Sequence, residues 1–317
     1  MKIWYQKDII YIYIYIYIHS SSIRRSSSIL TLQFYSSYSL LHGRFMKINA
    51  HHINDIYNSI RDRLEGLFGK IYAIWLREFK VFLRERSRLV ASTFTPLLWL
   101  FVIGSGMGSN GINSINANVD YQRFIFPGIV CMSVIFSSIF YGSYIIWDRK
   151  FDFLKSVMVA PVSRGIIFTG KTFGGMTNSL VQVSILLIVG GIIGIHYTTL
   201  SLVQTVVVVL LLSFSLTSLG LALGSYMQSL EGFQMIVSFV VFPIFFLSGA
   251  LFSIDNLPDW LSILIIIDPA TYAVDALRNT MLGIGSKPFE VDVSILIAFT
   301  AGLGAFGILS FRRMKAI

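Results

Sequence analysis

Six uncharged apolar runs constrain this chain more than any other feature: residues 89–109, 124–146, 172–195, 201–224, 233–253 and 293–311. Each is close to the roughly 20 residues that a helix needs to cross a hydrocarbon core. In lipid a backbone must satisfy its own hydrogen bonds, so runs of this length predict α-helices rather than open strands. Hydrophobic residues make up 55% of the 317 and charged residues only 13%, which excludes a soluble domain as the main body. The expected fold is an all-α integral membrane protein with six transmembrane helices.

The formal net charge of +9 raises the question of an anionic partner. Residues 1–88 hold 14 basic groups against 6 acidic ones, so the excess sits just ahead of the first apolar run, where membrane proteins keep their positive charge. No folded platform for nucleic acid accompanies it, and no nucleic-acid partner is expected. Orientation follows from the short connections. On one side lie Lys70, Arg77, Lys80, Arg84, Arg86 and Arg88, then Arg149, Lys150, Lys155, Arg164 and Lys171, then Arg312, Arg313 and Lys315; the other side has Arg123, Arg278 and Lys287. Both termini and the loop around 147–171 are therefore expected to face the cytoplasm.

No Asp, Glu, Lys or Arg falls inside the six runs. Ion-coupled carriers and intramembrane enzymes keep ionisable groups at membrane depth, so this pattern argues against both. Ser, Thr, Gln and Gly supply the polar content, including Gly174-Gly175 and Gly190-Gly191, and are read as packing positions. The single cysteine, Cys131, lies within a run and reads as a small buried hydrophobe.

Ahead of the spans the chain divides in two. Tyr11 to Ile18 alternates Tyr and Ile, as a translated AT repeat would, and a Ser-rich stretch follows up to Met46. Residues 1–45 are read as an upstream leader with translation starting at Met46, or as a transit-type extension carrying Arg24 and Arg25. In 46–88, Ile56, Ile60, Leu64, Leu67, Ile71, Trp75, Phe79 and Phe82 recur at steps of three and four, opposite Arg61, Arg63, Lys70, Arg77, Lys80 and Arg84. That pattern predicts an amphipathic helix lying in the membrane interface, divided near Gly66 and Gly69. Residues 89–311 form the six-span domain and 312–317 a basic tail.

Gly165-Ile166-Ile167-Phe168-Thr169-Gly170-Lys171-Thr172 matches the pattern of a phosphate-binding loop. Such a loop needs a preceding strand and an acidic residue for magnesium. This stretch runs directly into an apolar span, and the best acidic candidate, Asp268, falls on the opposite side of the expected topology. The match is read as accidental.

Two groups of residues resemble a known family. The first is Phe126-Pro127-Gly128, then Trp147-Asp148-Arg149, Phe153-Leu154, Ala160-Pro161-Val162-Ser163-Arg164 and Gly170-Lys171. The second is Leu247-Ser248-Gly249-Ala250, Leu257-Pro258 and Pro269-Ala270-Thr271-Tyr272 with Arg278 six positions on. Over about residues 70–315 the chain resembles the membrane-spanning permease subunits of type-2 ATP-binding-cassette transporters. It departs from them at Ala270 and at Phe151-Asp152-Phe153-Leu154, where many members have Gly-Thr-Leu-Glu.

The resemblance implies a cytoplasmic coupling helix in the loop, with Trp147, Asp148, Arg149, Phe151, Phe153, Leu154, Pro161, Ser163 and Arg164 as the candidate contact residues for a separate ATPase subunit. The loop's composition suits a small interface with apolar anchors and a polar rim, and Pro161 can end a short helix. Before the last span, Gly249, Pro258, Pro269, Tyr272, Asp275 and Arg278 mark a second candidate segment. Its apolar run 261–267 is too short to cross and reads as re-entrant, and Asp275 and Arg278 stand at i,i+3 spacing, as a helical pair or a solvated one.

The resulting expectation is a permease subunit, an exporter of a lipophilic or amphiphilic substrate, coupled to a nucleotide-binding ATPase subunit. It is expected to pair with itself as a homodimer or with a second permease, in contact with the lipid bilayer. No cofactor, metal or catalytic residue is expected on this chain; ATP and magnesium belong to the partner. Rival readings are a secondary carrier or channel, and a membrane-embedded lipid- or glycan-modifying enzyme. Similar permeases occur in cyanobacteria and algal plastids, and with the AT repeat this favours a plastid membrane over a bacterial inner membrane.

Overall fold

A computed structural model describes residues 50–108, 121–151, 153, 162–251 and 259–314. The expected leader 1–45 lies outside the described residues, as do Leu154, Pro161 and Pro258. The chain divides into two compact units, 1–77 and 78–317, whose boundary falls within the first helix.

The described elements are helical: α1 (Ala50–Arg84), α2 (Arg86–Gly108), α3 (Tyr121–Phe140), α4 (Ser143–Lys150), α5 (Arg164–Ile192), α6 (Thr199–Tyr226), α7 (Leu230–Leu247), α8 (Asp259–Ile267), α9 (Pro269–Leu282) and α10 (Phe289–Arg313). Six stretches are long and apolar enough to cross a membrane, namely α2, α3 continued by α4, α5, α6, α7 and α10. Helix α1 runs unbroken through Gly66 and Gly69, so the expected division there is not found; the interruption comes at Glu85. Between the fifth and sixth spans α8 and α9 are short, 9 and 14 residues, and meet at Asp268.

Local chemistry sets the helix ends. Thr198 and Ser201 exchange side-chain and backbone bonds in a capping box that starts α6. Ser229 accepts from the Gly232 amide to start α7, and Asp268 accepts from the Ala270 amide to start α9, with Pro269 in the first turn. Gly283, at φ 69°, closes α9 in the left-handed conformation that glycine alone adopts without cost.

Within the second unit, α6 is a central strut packed by α3, α5, α9 and α10. Its Gly220 and Gly224 meet the α3–α4 junction at Gly142, where a Cβ on Gly142 would lie 2.0 Å from the Gly220 carbonyl oxygen. Backbones approach this closely only where side chains are absent, as in small-xxx-small packing between membrane helices. Around this centre Phe94, Phe101, Phe239, Phe242, Ile188 and Ile297 are exposed, as an apolar bundle presents to lipid.

The helix boundaries correct one expectation. The third span begins at Arg164 rather than 172, and the second continues to Lys150. Asp148 and Lys171 therefore lie within spanning helices, fully buried, and the expectation that these helices hold no ionisable group fails.

Candidate functional site

Lys171 sits on the second turn of α5 with no exposed surface. Its ammonium donates to Oε1 of Glu78 at 2.8 Å and to Oδ2 of Asp148, two carboxylates held on α1 and α4. Tyr141 donates from its hydroxyl to the other oxygen of Glu78 at 2.7 Å. A buried cation is tolerated only when paired and hydrogen-bonded, and here three donors and acceptors converge from three other positions. The room comes from Gly174, one turn further along α5: a Cβ there would lie 2.5 Å from the Tyr141 hydroxyl and 2.6 Å from Cβ of Glu78.

From this cluster a polar seam runs along the contact between α5 and α3. Ser179 bonds Ser137 at 2.8 Å and Ser138 at 2.9 Å. One turn on, Gln182 accepts from Ser133 at 3.2 Å and donates to Ser92 of α2 at 2.7 Å. Lys171, Gly175, Asn178 with Ser179, and Gln182 share one face of α5 by their three- and four-residue spacing. These side chains tie helix to helix, and the packing role read from the sequence acquires named partners.

The flanks of the loop are tied down by the same means. Arg149 donates to the carbonyls of Met227 at 3.0 Å, Ser225 at 3.0 Å and Gly224 at 3.3 Å, closing the C-terminal end of α6. Arg164 donates to the carbonyls of Arg312 at 2.7 Å and Met314 at 2.8 Å, closing α10. Cations placed on orphan carbonyls at helix C-termini satisfy both the hydrogen bonds and the helix dipole. Trp147 stacks on Phe151 with ring centroids 5.7 Å apart, Lys150 lies over the Trp147 ring, and Phe153 is buried. Ser163 is exposed and starts α5. Asp148, Arg149 and Arg164 thus have partners within the chain itself.

The Gly165–Thr172 stretch is helical, so its amides point along the helix axis instead of around a phosphate, and its lysine is enclosed between carboxylates. Among the described residues no three metal-ligating side chains gather.

The second candidate segment is built around Arg278 of α9. Its guanidinium donates to the Gly249 carbonyl at 2.6 Å and the Ala250 carbonyl at 3.4 Å, and lies 4.3 Å from the ring of Phe124. Gly249, at φ 69°, turns the chain out of α7 so that these carbonyls face α9. Asp275 accepts from the amides of Ser286 and Lys287 at 2.8 and 3.0 Å, holding the loop before α10. The solvated pair allowed for Asp275 and Arg278 is not found, since both are buried. Tyr272 donates to the Ile266 carbonyl at 3.0 Å, locking α8 onto α9. Asp268 between them is buried, and loss of hydration pushes its carboxyl up to about 7 against the opposing amide bond from Ala270.

A bundle with six helices long and apolar enough to cross a membrane, with Lys171, Glu78 and Asp148 tied helix to helix inside it, defines a multi-pass integral membrane protein. Residues 69–282 match the family described as ABC-2 type transporter, and the chain belongs to that family as a transport permease subunit. It is 31% identical to a putative transport permease ycf38 of Porphyra purpurea over 218 residues, covering 67% of this chain and 74% of that one. It is 26% identical to the inner membrane transport permease YadH of Escherichia coli K12, covering 72% and 88%. Nodulation protein J of Rhizobium leguminosarum bv. viciae is 23% identical, covering 67% and 82%.

Sequence reasoning missed the Lys171 cluster, the helix-closing roles of Arg149 and Arg164, and the carbonyl partners of Arg278. The polar face of α5 was the available signal for the first: an otherwise apolar helix with Lys, Asn, Ser and Gln at helical spacing has a polar neighbour.

Proposed function

We propose that this chain is the membrane half of an ATP-driven exporter of a lipophilic or amphiphilic substrate, working with a separate nucleotide-binding subunit that holds ATP and magnesium. Two copies of the chain, or one copy and a second permease, form the pathway. Both termini and the loop between α4 and α5 face the cytoplasm or stroma, and the membrane is that of a plastid, a reading that similarity to the ycf38 permease of Porphyra purpurea supports. The observation that carries the coupling role is the anchoring of both flanks of the loop. Arg149 fixes its start to α6 and Arg164 fixes its end to α10, so a subunit docking between them pushes on two spanning helices. Trp147 and Phe151, both half-buried, supply aromatic surface at that position.

The buried charge cluster is also what a proton-coupled carrier would use, but Lys171 is engaged by carboxylates on two sides, and family membership favours ATP. Purification of the tagged chain from its native membrane is the test. A nucleotide-binding subunit should co-purify, and transport should persist when the proton gradient is collapsed. ATP binding by the purified chain alone, or transport abolished by a protonophore with ATP intact, would overturn the reading.

A further inference from the structure

We propose that Lys171 is a positioning residue that clasps α4 to α5, so that these two helices act as one rigid lever and pass force to the middle of the bundle. This rests on the coupling role proposed above and adds the device that executes it. Asp148 lies on the leg that enters the loop and Lys171 on the leg that leaves it, so their ion pair clasps the two legs together. Glu78 joins the last turns of α1 to the same ammonium. The seam then continues up α5 through Ser179 to Ser137 and Ser138, and through Gln182 to Ser133 and to Ser92 of α2. From Lys171 to Gln182 this covers about 16 Å of helix at 1.5 Å per residue. A displacement of the loop cannot be absorbed by the two legs sliding past each other; it moves α3 and α5 together and reaches α2.

Stability does not explain why charges occupy this place. Buried ion pairs are often replaced by apolar side chains of similar volume without loss, and their best-attested use is to specify one arrangement among several. An apolar contact between α4 and α5 would permit sliding by a turn; two directed bonds from one ammonium to Glu78 and Asp148, with Tyr141 holding the other oxygen of Glu78, do not. Gly174 fits the same purpose, because any side chain there would part Tyr141 and Glu78 from α5.

The test uses the complex of full-length permease and its ATPase subunit in lipid nanodiscs. The neutral set Glu78→Gln, Asp148→Asn and Lys171→Met removes the charges with little change of volume. The triple variant should fold, keep its thermal midpoint and retain the ATPase subunit as wild type does. The change in ATP turnover that assembly with the permease produces should fall about tenfold, within the range usual for coupling between sites. If the triple variant does not fold, Asp148→Asn alone decides. It leaves Lys171 paired with Glu78 and frees only the leg that enters the loop, and turnover should again uncouple while the subunit stays bound. Wild-type coupling in the triple variant, or in Asp148→Asn when that alone decides, overturns the lever. A wild-type chain that retains no ATPase subunit overturns the coupling reading itself and the lever with it.

Discussion

The guanidinium of Arg278 closes on the carbonyl oxygen of Gly249, 2.6 Å away, and so fastens α9 to the turn that ends α7. The same group lies over the Phe124 ring, which brings in α3. Three helices thus meet at one planar cation. Lysine offers a point charge and cannot satisfy a carbonyl and a ring face at once. Arg278→Lys should therefore cost about 1.5–3 kcal/mol, the scale of a buried charged hydrogen bond, with some cation–π loss added. Thermal unfolding in detergent, compared with the exposed control Arg313→Lys, measures it.

Arg149 makes its contribution by reach. It spans three carbonyls of the last turn of α6, and Arg149→Lys keeps the charge but not the span. A loss of about 1 kcal/mol or more is expected from the bonds left unmade. Hydrogen exchange should speed up in residues 220–227 and remain unchanged in α7. Uniform acceleration through the bundle would contradict a local capping role.

Gly142→Ala should be among the most damaging single substitutions. Its Cβ would stand 2.0 Å from a backbone oxygen of Gly220, and neither backbone can yield without parting α6 from the α3–α4 junction. Overpacking of this kind costs about 3 kcal/mol or more. Gly302→Ala, with no atom within 4 Å of the added carbon, should be neutral. Size-exclusion profiles of the two variants, expressed side by side, make the comparison.

The pH dependence expected of Asp268 follows from its raised carboxyl. In the folded chain it titrates near 7 rather than at its ordinary 3.8, so between those values the folded state holds a proton that the unfolded state has lost. Its contribution is fully present below about pH 4 and is lost as pH rises through 7. Asp268→Asn keeps an acceptor for the Ala270 amide and stays neutral at every pH. The variant should show a flatter stability curve from pH 4 to 8 and should exceed wild type at pH 8 by a few kcal/mol at most. Parallel curves for the two proteins would contradict this.

The spans were legible because hydropathy is local: a run of 20 apolar residues declares itself without knowledge of its neighbours. Lys171 was not, because its tolerance for burial comes from carboxylates 23 and 93 residues earlier in the chain. Read alone, a lysine between a glycine and a threonine marks the end of a loop, and here it lies in the second turn of a helix that Ser163 starts. The candidate site divides in the same way. Asp275 and Arg278 were found as residues worth attention, but their partners, the amides of Ser286 and Lys287 and the carbonyl of Gly249, are backbone groups that no side-chain pattern reports. The accidental phosphate-loop match fell to topology in the sequence and falls again to geometry, since a helix has no cradle of amides to offer.

The order of the Lys171 partners along the chain bears on how a ribosome can deliver this protein to a membrane. Glu78 and Asp148 both precede Lys171. Chains emerge N-terminus first at about 5–20 residues per second, so both acids are made before the lysine leaves the exit tunnel. When α5 arrives for insertion, the acids that neutralise its ammonium are already synthesised, and the helix that carries the buried cation is the one that arrives last of the three. A circular permutant that placed α5 ahead of α1 and α4 would present the cation first, and its insertion, rather than its final stability, would be the step to fail.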